Sequence, residues 1–85
     1  MIGEEGLRKW HEEGAQAGDG FMLVVEDLET GVTFVEYLPV DADAVERIRD
    51  YQREFSVRQL CVQACYSLRR PLEDQLGGFE WNTSL

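Results

Sequence analysis

Phe21-Met22-Leu23-Val24-Val25-Glu26-Asp27-Leu28-Glu29-Thr30-Gly31-Val32-Thr33-Phe34-Val35-Glu36-Tyr37-Leu38-Pro39 decides the fold. Its first five residues are apolar without a break and rich in aromatic and β-branched types. That pattern predicts a strand buried on both faces. Asp27 to Gly31 follows as a tight turn, with Gly31 able to take the positive φ that often closes a short hairpin loop. Val32 to Leu38 then alternates, with Val32, Phe34, Glu36 and Leu38 on one side and Thr33, Val35 and Tyr37 on the other. Pro39 has no N–H to donate and ends the strand.

Two strands alone are marginal in water, so the hairpin needs cover. A third short strand is expected from Phe79-Glu80-Trp81 or from another copy of the chain. Upstream, Glu4 to Glu13 places Leu7 and Trp10 at helical spacing, with Glu4 and Glu5 suiting the positive end of the helix and Gly14 as its stop. The connector Gly14-Ala15-Gln16-Ala17-Gly18-Asp19-Gly20 lacks the Lys-Ser/Thr ending of a phosphate-binding loop and leads into a strand rather than a helix.

Downstream, Asp41 is positioned to cap a helix, and Val40 and Val45 have the spacing of a hydrophobic staple. Ile48, Tyr51 and Phe55 continue the apolar stripe. Ser56 with Gln59 forms a second capping box, predicting a further helix to about Arg70 with Leu60, Cys61, Ala64, Cys65 and Leu68 inward. The rival reading is one helix from Ala42 to Arg70, about 43 Å long at the usual rise per residue. That length exceeds the diameter of so small a domain, so a break near Ser56 is preferred. Leu72 to Leu76 adds a last turn. The expected class is α+β: one antiparallel hairpin, extended to three strands if a C-terminal strand joins it, packed against two or three helices.

The chain of 85 residues is expected to form one domain, residues 1–85, with a radius of gyration of about 12 Å. A hydrophobic content of 44 % is ordinary for a globular chain. No apolar run approaches the roughly 20 residues that span a bilayer, and Met1-Ile2-Gly3-Glu4-Glu5 has no secretion signal, so cytoplasmic residence is the expectation.

Charge is unevenly laid out. The formal net charge is −9. No Lys or Arg occurs from Trp10 to Glu46, whereas Arg47, Arg49, Arg53, Arg58, Arg69 and Arg70 follow. Glu26, Asp27, Glu29 and Glu36 form a candidate acidic face for a basic partner. Long-range repulsion disfavours direct nucleic-acid binding.

The order of Trp10, Gly20 to Asp27, Tyr37-Leu38-Pro39-Val40, Tyr66-Ser67-Leu68 and Gln75-Leu76 resembles a type of small bacterial or phage protein of similar length, with no established activity. The resemblance implies a hairpin followed by helices with a break near Ser56, and it implies no site residues.

Chemistry-bearing groups are sparse. His11 is the only histidine, and in a helix it shares no face with Glu12 or Glu13. Cys61 and Cys65, read as helical, lie on one face without the geometry of a strain-free disulfide, which suits free thiols in a reducing compartment. Two thiols fall short of the four ligands of a closed zinc site. Glu26, Asp27 and Glu29 lack the EF-hand spacing. The reading therefore expects no catalytic, cofactor or metal residues. If residues 60–70 are helical, Arg58, Gln59, Val62, Gln63, Tyr66 and Arg69 form an outward face with the Arg and Tyr content of an interface.

The preferred function is a small acidic, non-enzymatic protein-interaction module with an unidentified protein partner, self-associating as a homodimer through the hairpin edge or the helical region. The alternative is an acidic inhibitor or nucleic-acid mimic of a mobile element, acting on a basic protein. A third reading is a small enzyme using His11 or the thiols.

Overall fold

The computed structural model describes residues 3–76. Helix α1 (Glu4–Gln16) leads into β1 (Phe21–Asp27) and β2 (Thr33–Leu38). Helix α2 (Ala44–Arg53), a one-turn α3 (Phe55–Arg58), β3 (Leu60–Ser67) and a short 3₁₀ turn (Leu72–Asp74) follow. The sheet order is β2-β1-β3, with both neighbours antiparallel to β1. The fold is thus α+β, with the hairpin extended to three strands.

Strand β1, apolar from Phe21 to Val25, is central because only the middle strand is covered on both faces and both edges. Met22, Leu23 and Val25 are fully buried. Each contributes about 2 kcal/mol of hydrophobic stabilisation. On one face Leu23, Val25, Leu38 and Val62 pack with Ile48 and Tyr51 of α2. On the other, Met22, Leu68 and Leu72 form a second cluster with Leu7 and Trp10 of α1. The result is three layers, helix on sheet on helix.

The hairpin closes as its residues predict. Gly31 adopts φ +78 and donates its N–H to the Asp27 carbonyl at 2.7 Å. The Asp27 carboxylate accepts from the backbone N–H groups of Glu29 and Thr30. The alternation of β2 also matches, Phe34 and Leu38 facing α2 and Val35 and Tyr37 facing α1.

Three expectations are corrected. The predicted helix from Ser56 to Arg70 is mostly strand β3, and the single long helix is excluded with it. The helix does break near Ser56, at Glu54, but after the single turn α3 Gln59 takes the left-handed conformation, φ 53, and turns the chain into the sheet. A spacing of four serves both periodicities, since helix and strand each return a residue to its starting face after four positions. The tie is broken by β1, whose second row of N–H and C=O groups needs a partner strand. Phe79-Glu80-Trp81, expected to supply that strand, lies outside the described residues.

The second correction concerns helix entry. Asp43, rather than Asp41, caps α2, its Oδ1 accepting from the Glu46 N–H at 3.1 Å. Val40 and Val45 both remain exposed, so they form no buried staple. Third, α1 does not stop at Gly14 but continues to Gln16. Gly14 lies against the sheet, where an added Cβ would sit 2.6 Å from the Tyr37 ring and 2.8 Å from Leu68. Gly14 is there because no side chain fits.

Candidate functional site

The outward helical face expected from Arg58, Gln59, Val62, Gln63, Tyr66 and Arg69 does not form. Val62 is buried against α2, whereas Tyr66 packs on the α1 side of the sheet. Gln63 is exposed and donates to Glu26 Oε1 at 3.0 Å. Arg58 is exposed beside Glu54, and Gln59 and Arg69 belong to the turns before and after β3. The change from helix to strand scatters the six.

The acidic group disperses too. Glu36 faces α2, where Arg47 donates to both its carboxylate oxygens at 2.9 and 3.1 Å and the Tyr51 hydroxyl donates to Oε1. Burial by itself raises the Glu36 carboxyl. The bonds from Arg47 and Tyr51, with the Arg47 charge, outweigh it and hold the group below the usual carboxylate range. Arg47 also lies over the Tyr51 ring, 4.5 Å from its centroid. Glu26 belongs to the opposite face with Gln63, Asp27 caps the hairpin turn, and Glu29 is exposed on that turn. These four carboxylates share no common face.

His11 is occupied structurally. Its Nε2 lies 3.0 Å from the Ser67 carbonyl and 2.9 Å from the Arg70 carbonyl. Both partners are acceptors, so Nε2 carries the proton and clasps α1 to the end of β3. The thiols are separated as well. Cys65 packs in the α2-side core, while Cys61 pairs with Glu26, which lies on the α1 side. Burial pushes the Cys65 thiol up to about 11, away from thiolate reactivity. Among the described residues no group of three His, Cys, Asp or Glu is arranged to hold a metal ion.

Concavities among the described residues add little chemistry. A groove of about 670 Å³ lies between the start of α2 and the 3₁₀ turn, floored by Phe21, Ala42, Ala44 and Cys65. Its polar groups are partly engaged already: Asp43 caps α2 and Gln75 bonds the backbone of β3. A smaller cleft of about 240 Å³ on the α1 side is bordered by Leu7, Glu26, Thr33, Gln63 and Tyr66. Neither brings together a nucleophile, a base and an orienting partner.

The two sheet edges differ more informatively. At β3 the regular ladder breaks between Val24 and Val25, leaving Gln63 as an extra residue. Farther along, Gln75 Oε1 accepts from the Ser67 N–H at 2.6 Å and Nε2 donates to the Ser67 carbonyl at 2.9 Å. A side-chain amide thus stands where another strand would pair. Bulges and covered backbone are established ways of closing an edge.

At β2, among the described residues, no strand occupies the outer edge. The Asp27 N–H donates to the Val32 carbonyl at 2.9 Å, so alternate residues Phe34 and Glu36 direct their backbone groups toward β1. Thr33, Val35 and Tyr37 therefore direct theirs outward. From Thr33 to Leu38 there is no Pro, Gly, Lys or Arg, and no register shift interrupts the pairing with β1. The β2 edge was legible in the hairpin sequence; the β3 edge, interrupted by the bulge and capped at Ser67, was hidden by the helical reading of residues 60–67. No helix of the described residues is long and apolar enough to cross a membrane. Compared with protein-family models, curated proteins and solved structures, the chain matches none of them.

Proposed function

We propose that this chain is a non-enzymatic protein-interaction module that engages its partner by strand addition at the outer edge of β2. The carrying observation is the asymmetry of the two edges: Gln75 caps Ser67 on β3, while among the described residues no strand pairs with the outward backbone groups of Thr33, Val35 and Tyr37. Strand addition takes affinity from main-chain hydrogen bonds and specificity from alternate side chains, so it requires no deep pocket. Thr33 and Val35 on one face and Phe34 on the other are half-buried beside that edge and available as contact surface. Cytoplasmic residence belongs to the same reading and is supported by two free cysteines held on opposite faces of the sheet.

The test is site-specific photo-cross-linking in the native host, with the reactive residue placed at Thr33 or, for comparison, at Arg69 beyond the capped end of β3. Cross-linked protein adducts are expected from position 33 and not from position 69. Adducts of equal yield at both positions, or none at position 33, overturn the proposal.

A further inference from the structure

We infer that the partner of the β2 edge is a second copy of this chain, paired antiparallel about a two-fold axis with Val35 opposite Val35. This inference rests on the preceding reading that β2 is the docking edge, and it adds the identity and register of the occupant.

The register follows from pairing rules. Two copies related by a two-fold axis must present the same patch to each other, and outward backbone groups must meet outward backbone groups. Thr33, Val35 and Tyr37 form that outward row. Centring on Val35 places Thr33 opposite Tyr37 and Phe34 opposite Glu36 of the other copy. It also uses the whole of Val32 to Leu38, because Val35 is the midpoint of that stretch.

The neighbouring registers are poorer. Centring on Glu36 sets two carboxylates directly opposite, which is destabilising. It also draws Pro39 toward the pairing region and leaves Val32 unmatched. Centring on Phe34 forces Tyr37 opposite Gly31, where the backbone has already left the strand at φ +78. In the Val35 register each Glu36 keeps its own Arg47 as counter-charge, so the Phe34–Glu36 pairing brings no uncompensated charge to the seam. The length of β2, its charge placement and its alternation are therefore matched to a copy of itself. Pairing would join the two three-stranded sheets into one continuous six-stranded sheet, with the α1 and α2 layers continuing on either side.

The experiment combines sedimentation equilibrium of the full chain with oxidative cross-linking of Val35→Cys and Thr33→Cys. The unaltered chain, which carries Cys61 and Cys65, gives the background. A concentration-dependent mass reaching twice that of the chain is expected, with covalent dimer well above background for Val35→Cys only. In the Val35 register two Thr33 positions lie four residues out of step and are too far apart to bridge. A third variant, Val35→Lys, opposes two like charges at the axis and is expected to weaken association by about tenfold or more, with partial recovery in high salt. A chain that stays monomeric while position 33 cross-links to a different protein overturns the self-pairing and leaves the docking edge standing. A dimer in which Thr33→Cys bridges as well as Val35→Cys overturns the register.

Discussion

Cys61 and Cys65 lie on opposite faces of the sheet although four residues separate them. In an uninterrupted strand that spacing returns a side chain to its starting face. Here β3 holds one residue more than β1 needs: Val24 pairs with Ala64 and Val25 with Val62, leaving Gln63 over. The bulge reverses the alternation between the two cysteines. Cys65 consequently joins the core against α2, and Cys61 turns to the side of Glu26.

The first prediction concerns thiol chemistry. No intramolecular disulfide is expected under mild oxidation, because the sheet itself stands between the sulfurs. Burial holds the Cys65 thiol near 11, so its alkylation in the folded protein at pH 8 should be slower than in urea by at least about tenfold. Mass spectrometry of time-quenched, iodoacetamide-treated protein reads both outcomes. Rapid formation of a Cys61–Cys65 bridge would show that β3 is not bulged as described.

That bulge also explains how far the sequence could be read. Phe21 to Leu38 carries its strand pattern locally, and hairpin, turn and alternation are all present as expected. Leu60 to Ser67 does not, because Cys61, Ala64 and Cys65 recur at intervals that suit a helix, and a bulge masks period-two alternation. What selects the strand is a tertiary demand from β1, invisible within residues 60–67. The interface face drawn on Arg58, Val62, Tyr66 and Arg69 failed for the same reason. The β2 edge depended only on the hairpin and was legible from its alternation and the placement of Pro39. Its contrast with β3 was not, because it requires Gln75 to reach back to Ser67.

Gly14 supplies the second prediction. In an isolated helix Gly→Ala is stabilising by about 1 kcal/mol. Here the new methyl would lie within 3 Å of both the Tyr37 ring and Leu68. Overpacking of that kind costs about 1–3 kcal/mol. Gly14→Ala should therefore lower the urea midpoint despite its better helix propensity. A raised midpoint would mean that α1 sits farther from the sheet.

Gln75 is the third. Removing its side chain in Gln75→Ala frees the Ser67 N–H, while the Ser67 carbonyl keeps its bond from His11, and protection of the Ser67 amide against deuterium exchange should fall sharply while that of Leu23 and Val25 persists. The stability loss should be near 1 kcal/mol, the usual net value of such hydrogen bonds. The freed Ser67 N–H at the end of β3 should also raise the tendency to associate beyond a dimer. Unchanged exchange at Ser67 would show that the amide does not guard the edge.

Glu36 carries the fourth prediction, in its pH dependence. Its carboxyl is held below the ordinary value: burial opposes this, but the hydrogen bonds from Arg47 and Tyr51 outweigh it. The folded protein therefore binds this proton less tightly than the unfolded chain does. The resulting stabilisation is fully present above the unfolded value, near ~4.3, and is lost as pH falls through the lower folded one. With Glu36 26 % and Arg47 35 % exposed, solvent screening places the cost of Glu36→Gln at the modest end, about 1 kcal/mol at pH 7. Urea unfolding at pH 7 and pH 3 should show that difference narrowing at the acidic end. Tyr51 gives an independent optical readout, since burial first and Glu36 second push its hydroxyl up to about 12. In Glu36→Gln the carboxylate's share of that shift disappears, and Tyr51 should ionise at lower pH in an absorbance titration. A stability gap that stays constant with pH, together with an unmoved tyrosine titration, would show that Glu36 is not engaged by Arg47 and Tyr51 in solution.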